Sequence, residues 1–410
     1  MDIKNFNNNY ILFTNLIFGF FPVSFIFGNL ILNVNILLFC CMGIFLLRSN
    51  ILKIKSNLSL KIILSFFIII FISTVLSFIK SLYLEGYEYA NLIKLIKSIT
   101  FFRYFLLLII VYLLSKFCIL NFKYFFIVAA LSPFLISLDV IYQYIFGFNI
   151  IGFESYGSFH NSSFFGDELI AGGFIQRFSF FSILFYFFLL KNKKNIWLIL
   201  LMPLIYFLGV GILFSGNKMP LIMFFFGLLL LFLVISKLRT VLASTVIILL
   251  LSITYIGSFD NRIKSVYEPI FTYLKNAQPI LSNVLLQSKD KPSVVAANII
   301  DQSEARSWGH LKLFVTAIDT WKQNKIYGNG IKSFREDCKK VIADNRNRLC
   351  STHPHNYFLE VLTETGIIGF FVVMLMALMF ILFIVKNFSH LKGNKIENLI
   401  LLAGVISLIL

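Results

Sequence analysis

Long apolar segments alternate with short polar ones along almost the whole chain. Each apolar segment reaches or approaches the ~20 residues that an α-helix needs to cross a bilayer. This pattern predicts an all-α polytopic membrane protein. The predicted spans are residues 11–28, 30–47, 60–79, 99–116, 124–144, 174–190, 196–214, 219–236, 240–257, 356–385 and 396–410.

Composition supports this interpretation, because 59% of the residues are hydrophobic and only 13% are charged. A soluble fold is therefore excluded. The 50 phenylalanines, together with abundant Ile, Asn and Lys, indicate a coding bias and are not a functional signal. Met1–Tyr10 carries both charge signs before a segment long enough to span, so we expect no cleavable signal peptide.

The net charge of +17 comes from basic residues that collect in every second short connection. This is the positive-inside pattern of membrane proteins, so the charge indicates topology and not binding to nucleic acid. It places the N-terminus in the cytoplasm. The segments expected on the outer side are 80–98, 145–173, 215–218 and 258–355.

The outer segment 258–355 is by far the longest connection, and we expect it to be largely helical. A helix is predicted from Ser303, with an apolar stripe that includes Trp308 and Trp321, and it ends at Tyr327-Gly-Asn-Gly330. The stripe favours either a helix at the membrane interface or one packed on the rest of the loop. Both alternatives stay open.

Cys338 and Cys350 lie twelve positions apart in this outer segment. In an oxidising compartment we expect them to form a disulfide, which would stabilise the loop by roughly 3 kcal/mol. Two free thiols are the alternative. A metal site of these cysteines with His353 and His355 matches no usual zinc spacing, so we expect no metal and no other cofactor.

The most informative segment is Cys350–Glu360, where the outer loop meets a predicted membrane helix. Thr352 or His353 is expected to cap that helix, with Pro354 in its first turn. His355 would then lie among unpaired backbone N–H groups at the positive end of the helix dipole, where phosphate binds well. Titratable imidazoles beside an anion site suggest chemistry on a lipid-linked phosphate.

Several cations lie at membrane depth on the outer side, where topology does not require them. Arg177 begins the sixth span, Lys218 precedes the eighth, and Arg103 lies in the fourth. Such cations serve a bound anion or reach into the interface by snorkelling. We expect an outward-facing pocket, its cations and polar groups being Arg177, Lys218, Arg306, His355, Asp139, Gln143, Asp167, Glu168, Asn356, Glu360 and Glu364.

Three local motifs resemble those of the O-antigen ligase family of bacterial membrane glycosyltransferases, which includes O-antigen polymerase-like members. The resemblance covers most of the chain. The motifs are His353-Pro-His-Asn356 with Leu359-Glu360 and Glu364-Thr-Gly366-Ile-Ile-Gly369; Arg306 and Trp308 with Gly328-Asn-Gly330 and Phe334; and Gly173-Phe-Ile-Gln-Arg177 with Asp139-Val-Ile-Tyr-Gln143 and Gly147.

The resemblance implies one transmembrane domain over residues 1–410, a GT-C-like bundle of about 11–12 spanning helices with one large periplasmic loop. It implies a metal-independent, inverting transfer of a glycan from undecaprenyl diphosphate to lipid A–core at the periplasmic face of the inner membrane. His355, Arg306 and Arg177 take the catalytic positions. Lys218, His353, Asn356 and Glu364 take substrate-binding positions, although family members often carry Arg where Lys218 stands.

Two alternatives stay open beside the ligase. A polymerase would use the same donor with a second lipid-linked glycan as acceptor. A transporter of the lipid-linked glycan should show internal repeats and interrupted helices, and we find no clear repeat. The last apolar segment reaches Leu410 without a polar tail, so we expect either a missing final helix or an abrupt end.

The topology is testable by labelling. A Ser282→Cys variant should react with a membrane-impermeant maleimide from the outer side of the inner membrane, because Ser282 lies in the segment 258–355. Reaction only after the inner membrane is permeabilised would contradict the predicted topology.

Overall fold

The structure, a computed structural model, is built of α-helices in the part of the chain that it describes. The residues that it describes are 8–53, 57–84, 92–157, 160–190, 196–265, 268, 302–344, 348–394 and 396–409. The α-helices, numbered in chain order, are α1 (Asn8–Gly19), α2 (Phe21–Ile26), α3 (Asn29–Leu47), α4 (Leu58–Leu84), α5 (Leu92–Lys116), α6 (Lys123–Phe146), α7 (Ala171–Leu190), α8 (Ile196–Phe214), α9 (Lys218–Val234), α10 (Arg239–Gly257), α11 (Gln302–Lys322), α12 (Phe334–Asp344), α13 (Tyr357–Asn394) and α14 (Ile396–Ile409).

Every predicted span coincides with a helix, the first one with α1 and α2 together. Among the described residues, eight helical stretches are long and apolar enough to cross a membrane, and three further apolar helices are shorter. Only isolated β-bridges occur in the same part of the chain. The prediction of an all-α polytopic membrane protein is confirmed.

Contacts between Cα atoms divide the chain into two compact units. The first comprises residues 1–48, 111–275 and 387–410, and the second comprises 49–110 and 276–386. The prediction that the whole chain acts as one transmembrane domain is not tested by this division, and it stays a prediction.

The core of the first unit is formed by apolar faces of α6 to α10 and α14. Phe180 of α7 is fully buried and packs against Gly227 of α9 and Gly404 of α14. A Cβ atom on Gly404 would lie 2.9 Å from the Phe180 Cβ, so only a glycine lets the helices approach this closely. Small residues thus set the packing of this unit.

A polar cluster anchors the connection that follows α6. Asp139 is buried, and its carboxylate accepts hydrogen bonds from the Ile150 N–H at 3.0 Å and the Ser163 hydroxyl at 2.6 Å. Gln143 accepts from the Ser163 N–H at 2.8 Å and donates to the Phe153 carbonyl at 3.0 Å. Asp139 and Gln143, which we expected as polar groups of the pocket, therefore hold a loop in place.

A stack of planar groups fixes the end of α8. The Tyr144 ring stacks on the Phe214 ring, with 4.0 Å between the ring centroids. Arg262 follows α10 in the chain, and its guanidinium lies 4.0 Å from the centroid of the Tyr144 ring. Asp260 accepts hydrogen bonds from both Arg262 and the Tyr144 hydroxyl. The Arg262 guanidinium lowers the pKa of Asp260 to about 2, so this carboxylate stays ionised at neutral pH.

The second unit has its own apolar core between α4, α5 and α13. Phe66, Phe67 and Ile70 of α4 pack with Ile331 and Val361. The Thr74 hydroxyl of α4 accepts a hydrogen bond from the Ile331 N–H at 3.1 Å. The segment that follows Gly330 is thus anchored on a membrane-spanning helix.

Candidate active site

The histidine motif lies directly before α13. Asn356 caps this helix, since its side-chain oxygen accepts a hydrogen bond from the Leu359 N–H at 3.0 Å. The expectation that Thr352 or His353 caps the helix, with Pro354 in the first turn, was wrong. The amide of Asn356 reaches the third N–H of the helix, and Pro354 is a buried residue outside it.

The two imidazoles form a pair at this helix end. The ring centroids of His353 and His355 lie 4.2 Å apart, and both side chains are exposed. His355 has a φ of 54°, a left-handed conformation that turns the chain before the cap. The Thr352 hydroxyl lies 3.0 Å from Nδ1 of His353. The structure therefore brings His353, His355 and Asn356 together, as the motif predicted.

A break in α13 lies about three turns beyond the histidines. Gly366 has φ 64° and ψ −164°, so the helix is interrupted there. The carbonyl of Glu364 accepts a hydrogen bond from the Gly330 N–H at 2.9 Å, and the Ile367 N–H donates to the Lys325 carbonyl at 3.0 Å. The segment 325–330 is thus joined by backbone hydrogen bonds to both sides of the break, an arrangement that we call the glycine clasp.

Two glycines allow this close approach. A Cβ atom on Gly366 would lie 2.6 Å from the Tyr327 nitrogen, and one on Gly328 would lie 2.5 Å from the Glu364 carbonyl oxygen. Both residues also have positive φ, which glycine adopts without steric cost. The role of Gly366 is thus to interrupt α13 and to admit this loop. Two motifs that lie far apart in the sequence are joined here.

Glu364 is a half-buried residue of the clasp. One of its carboxylate oxygens accepts a hydrogen bond from the Lys332 N–H at 2.6 Å. The positive charges of Lys332 and Arg335 act on Glu364 and on Glu360 one turn earlier. Sequence reasoning missed Lys332 and Arg335. The carboxylates at i and i+4 were a signal that a positive partner was needed, but its position depends on the fold.

Cys338 lies in α12, and Cys350 lies in the chain directly before the histidines. Their sulfur atoms are at bonding distance and their Cα atoms are 5.4 Å apart, which is the geometry of a disulfide. Cys338 is buried with Leu313, Ala317 and Phe334, and Cys350 packs on the same cluster. A bridge here would tie α12 to the chain that leads into His353.

An ion pair supports the same segment. Arg348 donates to Asp319 at 2.7 Å, and Lys322 does so at 2.9 Å. Burial acts to raise the pKa of Asp319, but the hydrogen bonds and charges of Lys322 and Arg348 prevail and lower it. A lowered pKa contributes stability above the ordinary pKa of the carboxyl, and this contribution is lost as the pH falls through the folded-state value.

The buried face of α11 differs from the expected stripe. Among the described side chains, from residue 311 onward, the buried ones are Leu313, Thr316, Ala317 and Thr320, whereas Trp321 is half-buried and donates to the Lys325 carbonyl at 3.0 Å. Trp321 instead holds the turn that begins the clasp.

The side chain of Arg306 lies outside the described residues, although its backbone belongs to the first turns of α11. Its assignment as a catalytic cation stays a prediction. Arg103 donates to the Thr100 carbonyl at 2.9 Å and to the Tyr104 hydroxyl at 3.0 Å on its own helix. These contacts support snorkelling along α5.

The first unit brings together the segments that carry Arg177 and Lys218. The Gly172 N–H of α7 donates to the Asn217 side-chain oxygen at 3.1 Å, and the Asn217 amide donates to the Leu169 carbonyl at 3.1 Å. Asn217 directly precedes Lys218, and both cationic side chains are exposed. Because the histidines belong to the second unit, one pocket that joins all these groups stays a prediction.

The comparison with protein families agrees with this organisation. Residues 203–374 match the family model described as O-antigen ligase. This part of the chain, less than half of its length, is therefore similar to an O-antigen ligase domain. The match includes Lys218, the histidine motif and both sides of the glycine clasp, and it ends within α13; Arg177 lies outside it. No curated protein and no solved structure shows significant similarity to the chain.

The O-antigen ligase match confirms the family to which the motifs are similar, and with it a glycosyltransferase-like enzyme in general terms. The family is one of membrane proteins that act on lipid-linked glycans. Roles of individual residues are not decided by the match, because it assigns a segment and not a reaction step.

The glycine clasp is testable by a substitution that adds a single methyl group to Gly366. Gly366→Ala should lower the stability by about 1–3 kcal/mol, because a Cβ atom would meet the backbone of Ile326 and Tyr327 at a positive φ. The measurement is thermal unfolding of the purified protein in detergent. The neighbouring exposed residue supplies the control, and Ile367→Ala should change stability by less than about 0.5 kcal/mol. Equal melting temperatures for the two variants would contradict the clasp.

The disulfide is testable both in the unaltered protein and with cysteine variants. Peptides that contain Cys338 and Cys350 should be found linked by mass spectrometry under non-reducing conditions, because the Cα separation suits a bridge. Cys350→Ser should destabilise the protein by roughly 3 kcal/mol, while Cys118→Ser, at an exposed free cysteine, should not. Complete alkylation of both thiols in rapidly quenched protein would rule the bridge out.

Proposed function

We propose that the protein transfers a glycan from undecaprenyl diphosphate to lipid A–core at the periplasmic face of the inner membrane. The observation that carries this proposal is the pair of exposed imidazoles at the capped start of α13, next to the glycine clasp. The family match supports the class of reaction. Eight helices suited to crossing a bilayer support a substrate held in the membrane.

In the proposed reaction, a hydroxyl oxygen of the acceptor attacks the anomeric carbon of the donor. The new glycosidic C–O bond forms as the C–O bond to the diphosphate breaks, and attack from the opposite side inverts the anomeric centre. The hydroxyl proton passes to the imidazole of His355. Imidazole suits this step because its ordinary pKa lies near neutrality.

His355 is preferred to His353 as the base because it takes the position of the family histidine in the motif. Nδ1 of His353 is engaged by the Thr352 hydroxyl at 3.0 Å, which suits a residue that orients its neighbour. His355 lies next to the Asn356 cap, with its backbone turned by the positive φ. We therefore assign His353 to positioning and substrate contact, and His355 to proton transfer.

The diphosphate is already a good leaving group, so the main requirement is positive charge that neutralises the negative charge developing on it. In the proposal, Arg177 and Arg306 bind it with their planar guanidinium groups and Lys218 adds a point charge. No metal takes part. Asn356 and Glu364 act through the backbone that they position, the first at the start of α13 and the second at the Lys332 turn.

The proposal is tested with purified full-length protein and an undecaprenyl diphosphate-linked glycan. His355→Ala should reduce transfer to lipid A–core by roughly 10²–10⁴-fold, the usual contribution of a general base. Donor binding and the melting temperature should stay near those of the wild-type protein, because the side chain is exposed. The matched control is His353→Ala, for which we expect a smaller loss.

Each other outcome of this assay has a defined meaning. Normal turnover in the His355→Ala protein with loss only in His353→Ala would show that the base is the other histidine. Normal turnover in both variants would remove the motif from catalysis. Wild-type transfer only onto a second lipid-linked glycan would show a polymerase, and the ligase proposal would fail.

A further inference from the structure

The connection that follows α6 carries an unusual number of exposed apolar side chains. α6 and α7 both suit membrane spans, so the residues just after Phe146 lie at a membrane surface. Ile150 and Ile151 at the tip are 66% and 58% exposed, and Phe148 and Phe153 are also exposed. Contiguous exposed apolar surface of this kind marks an interaction site.

The composition of the tip suits a membrane surface. Ile150 and Ile151 have aromatic residues, Phe148 and Phe153, on both sides within a few positions. Apolar and aromatic side chains of this kind are those that interfacial segments bury at the boundary between headgroups and acyl chains.

The backbone N–H groups of the tip are satisfied from inside. Every N–H from Asn149 to Phe153 donates a hydrogen bond, and the acceptors are Asn149, Asp139 and the Phe153 carbonyl. The side-chain oxygen of Asn149 alone accepts from Ile151 at 3.1 Å and Phe153 at 2.7 Å. Unpaired backbone groups are costly in lipid, so a loop that enters the apolar boundary must pair them internally.

We propose that residues 145–156 form a membrane anchor whose tip, Ile150 and Ile151, inserts at the boundary between headgroups and acyl chains. The leaflet is the one at this end of α6, the outer leaflet in the predicted topology. Lipid acyl chains are the occupants because the loop continues directly from a membrane-spanning helix and offers them an apolar tip with no open backbone N–H group. Such insertion is confined to the interface and does not reach the bilayer centre.

The anchor is connected to the turn that carries Lys218. The Ser155 hydroxyl donates to the Asn161 side-chain oxygen at 2.7 Å, and Asn161 in turn donates from its N–H to the Ser215 carbonyl at 3.3 Å and from its amide to the Phe214 carbonyl at 2.5 Å. The anchor and the Ser215–Lys218 turn are therefore linked by direct hydrogen bonds and lie near the same level of the leaflet.

The test compares two cysteine variants of the full chain in vesicles of phosphatidylethanolamine and phosphatidylglycerol. Ile151→Cys should react with a water-soluble maleimide about tenfold or more slowly than Asp167→Cys, because an apolar medium disfavours the reactive thiolate. Asp167 is a matched control, being an exposed residue of the same connection. Mass spectrometry of the modified peptides distinguishes these sites from the native cysteines.

A second measurement uses the unaltered chain and a lipid with a photoactivated diazirine on its acyl chain. Adducts should map to residues 145–156 and be absent from the peptide around Asp167. Equal maleimide rates together with no acyl adducts would overturn the proposal by placing the loop in water. A protected Ile151→Cys without adducts that forms disulfide-linked dimers would overturn it in favour of a second copy of the chain.

Discussion

The site depends on the close contact between the backbone of residues 325–330 and the break in α13. Without Gly366 the helix would continue, and the carbonyl of Glu364 would be committed to its own helix instead of the Gly330 N–H. The same loop is attached to α4 through Thr74 and Ile331. Two membrane-spanning helices and a connection are therefore joined about three turns beyond the histidine segment, and the first turns of α13 link this junction to the imidazoles.

Much of the fold was predictable from local sequence. A span is recognised by the length of its apolar segment, which does not depend on its neighbours, so all the predicted spans are helices in the structure. The helix start at Tyr357 was not predicted correctly, because Thr352, His353 and Asn356 are all acceptable near such an end and the turn at His355 decides between them. The capping residue is therefore decided by the backbone turn at His355 and not by the preference of each residue type for helix ends.

The candidate site was predictable in part for a similar reason. The histidine, glycine and cysteine motifs were found because each consists of residues that are close in sequence. Lys332 and Arg335 were missed, since nothing local relates them to Glu364 until the clasp brings the segments together. Asp139 and Gln143 resembled pocket residues because buried polar groups look alike in sequence whether they bind a substrate or a loop.

The interruption at Gly366 also bears on how α13 responds to the surrounding membrane. The long apolar part beyond the break must match the thickness of the bilayer, and a helix adjusts to a thinner or thicker bilayer by tilting. The clasp holds this part too, because the N–H groups of Ile367 and Ile368 donate to the carbonyls of Lys325 and Ile326. A tilt of the long part therefore pulls on the segment 325–330, and its attachment to Thr74 couples the lipid surroundings of α13 to α4.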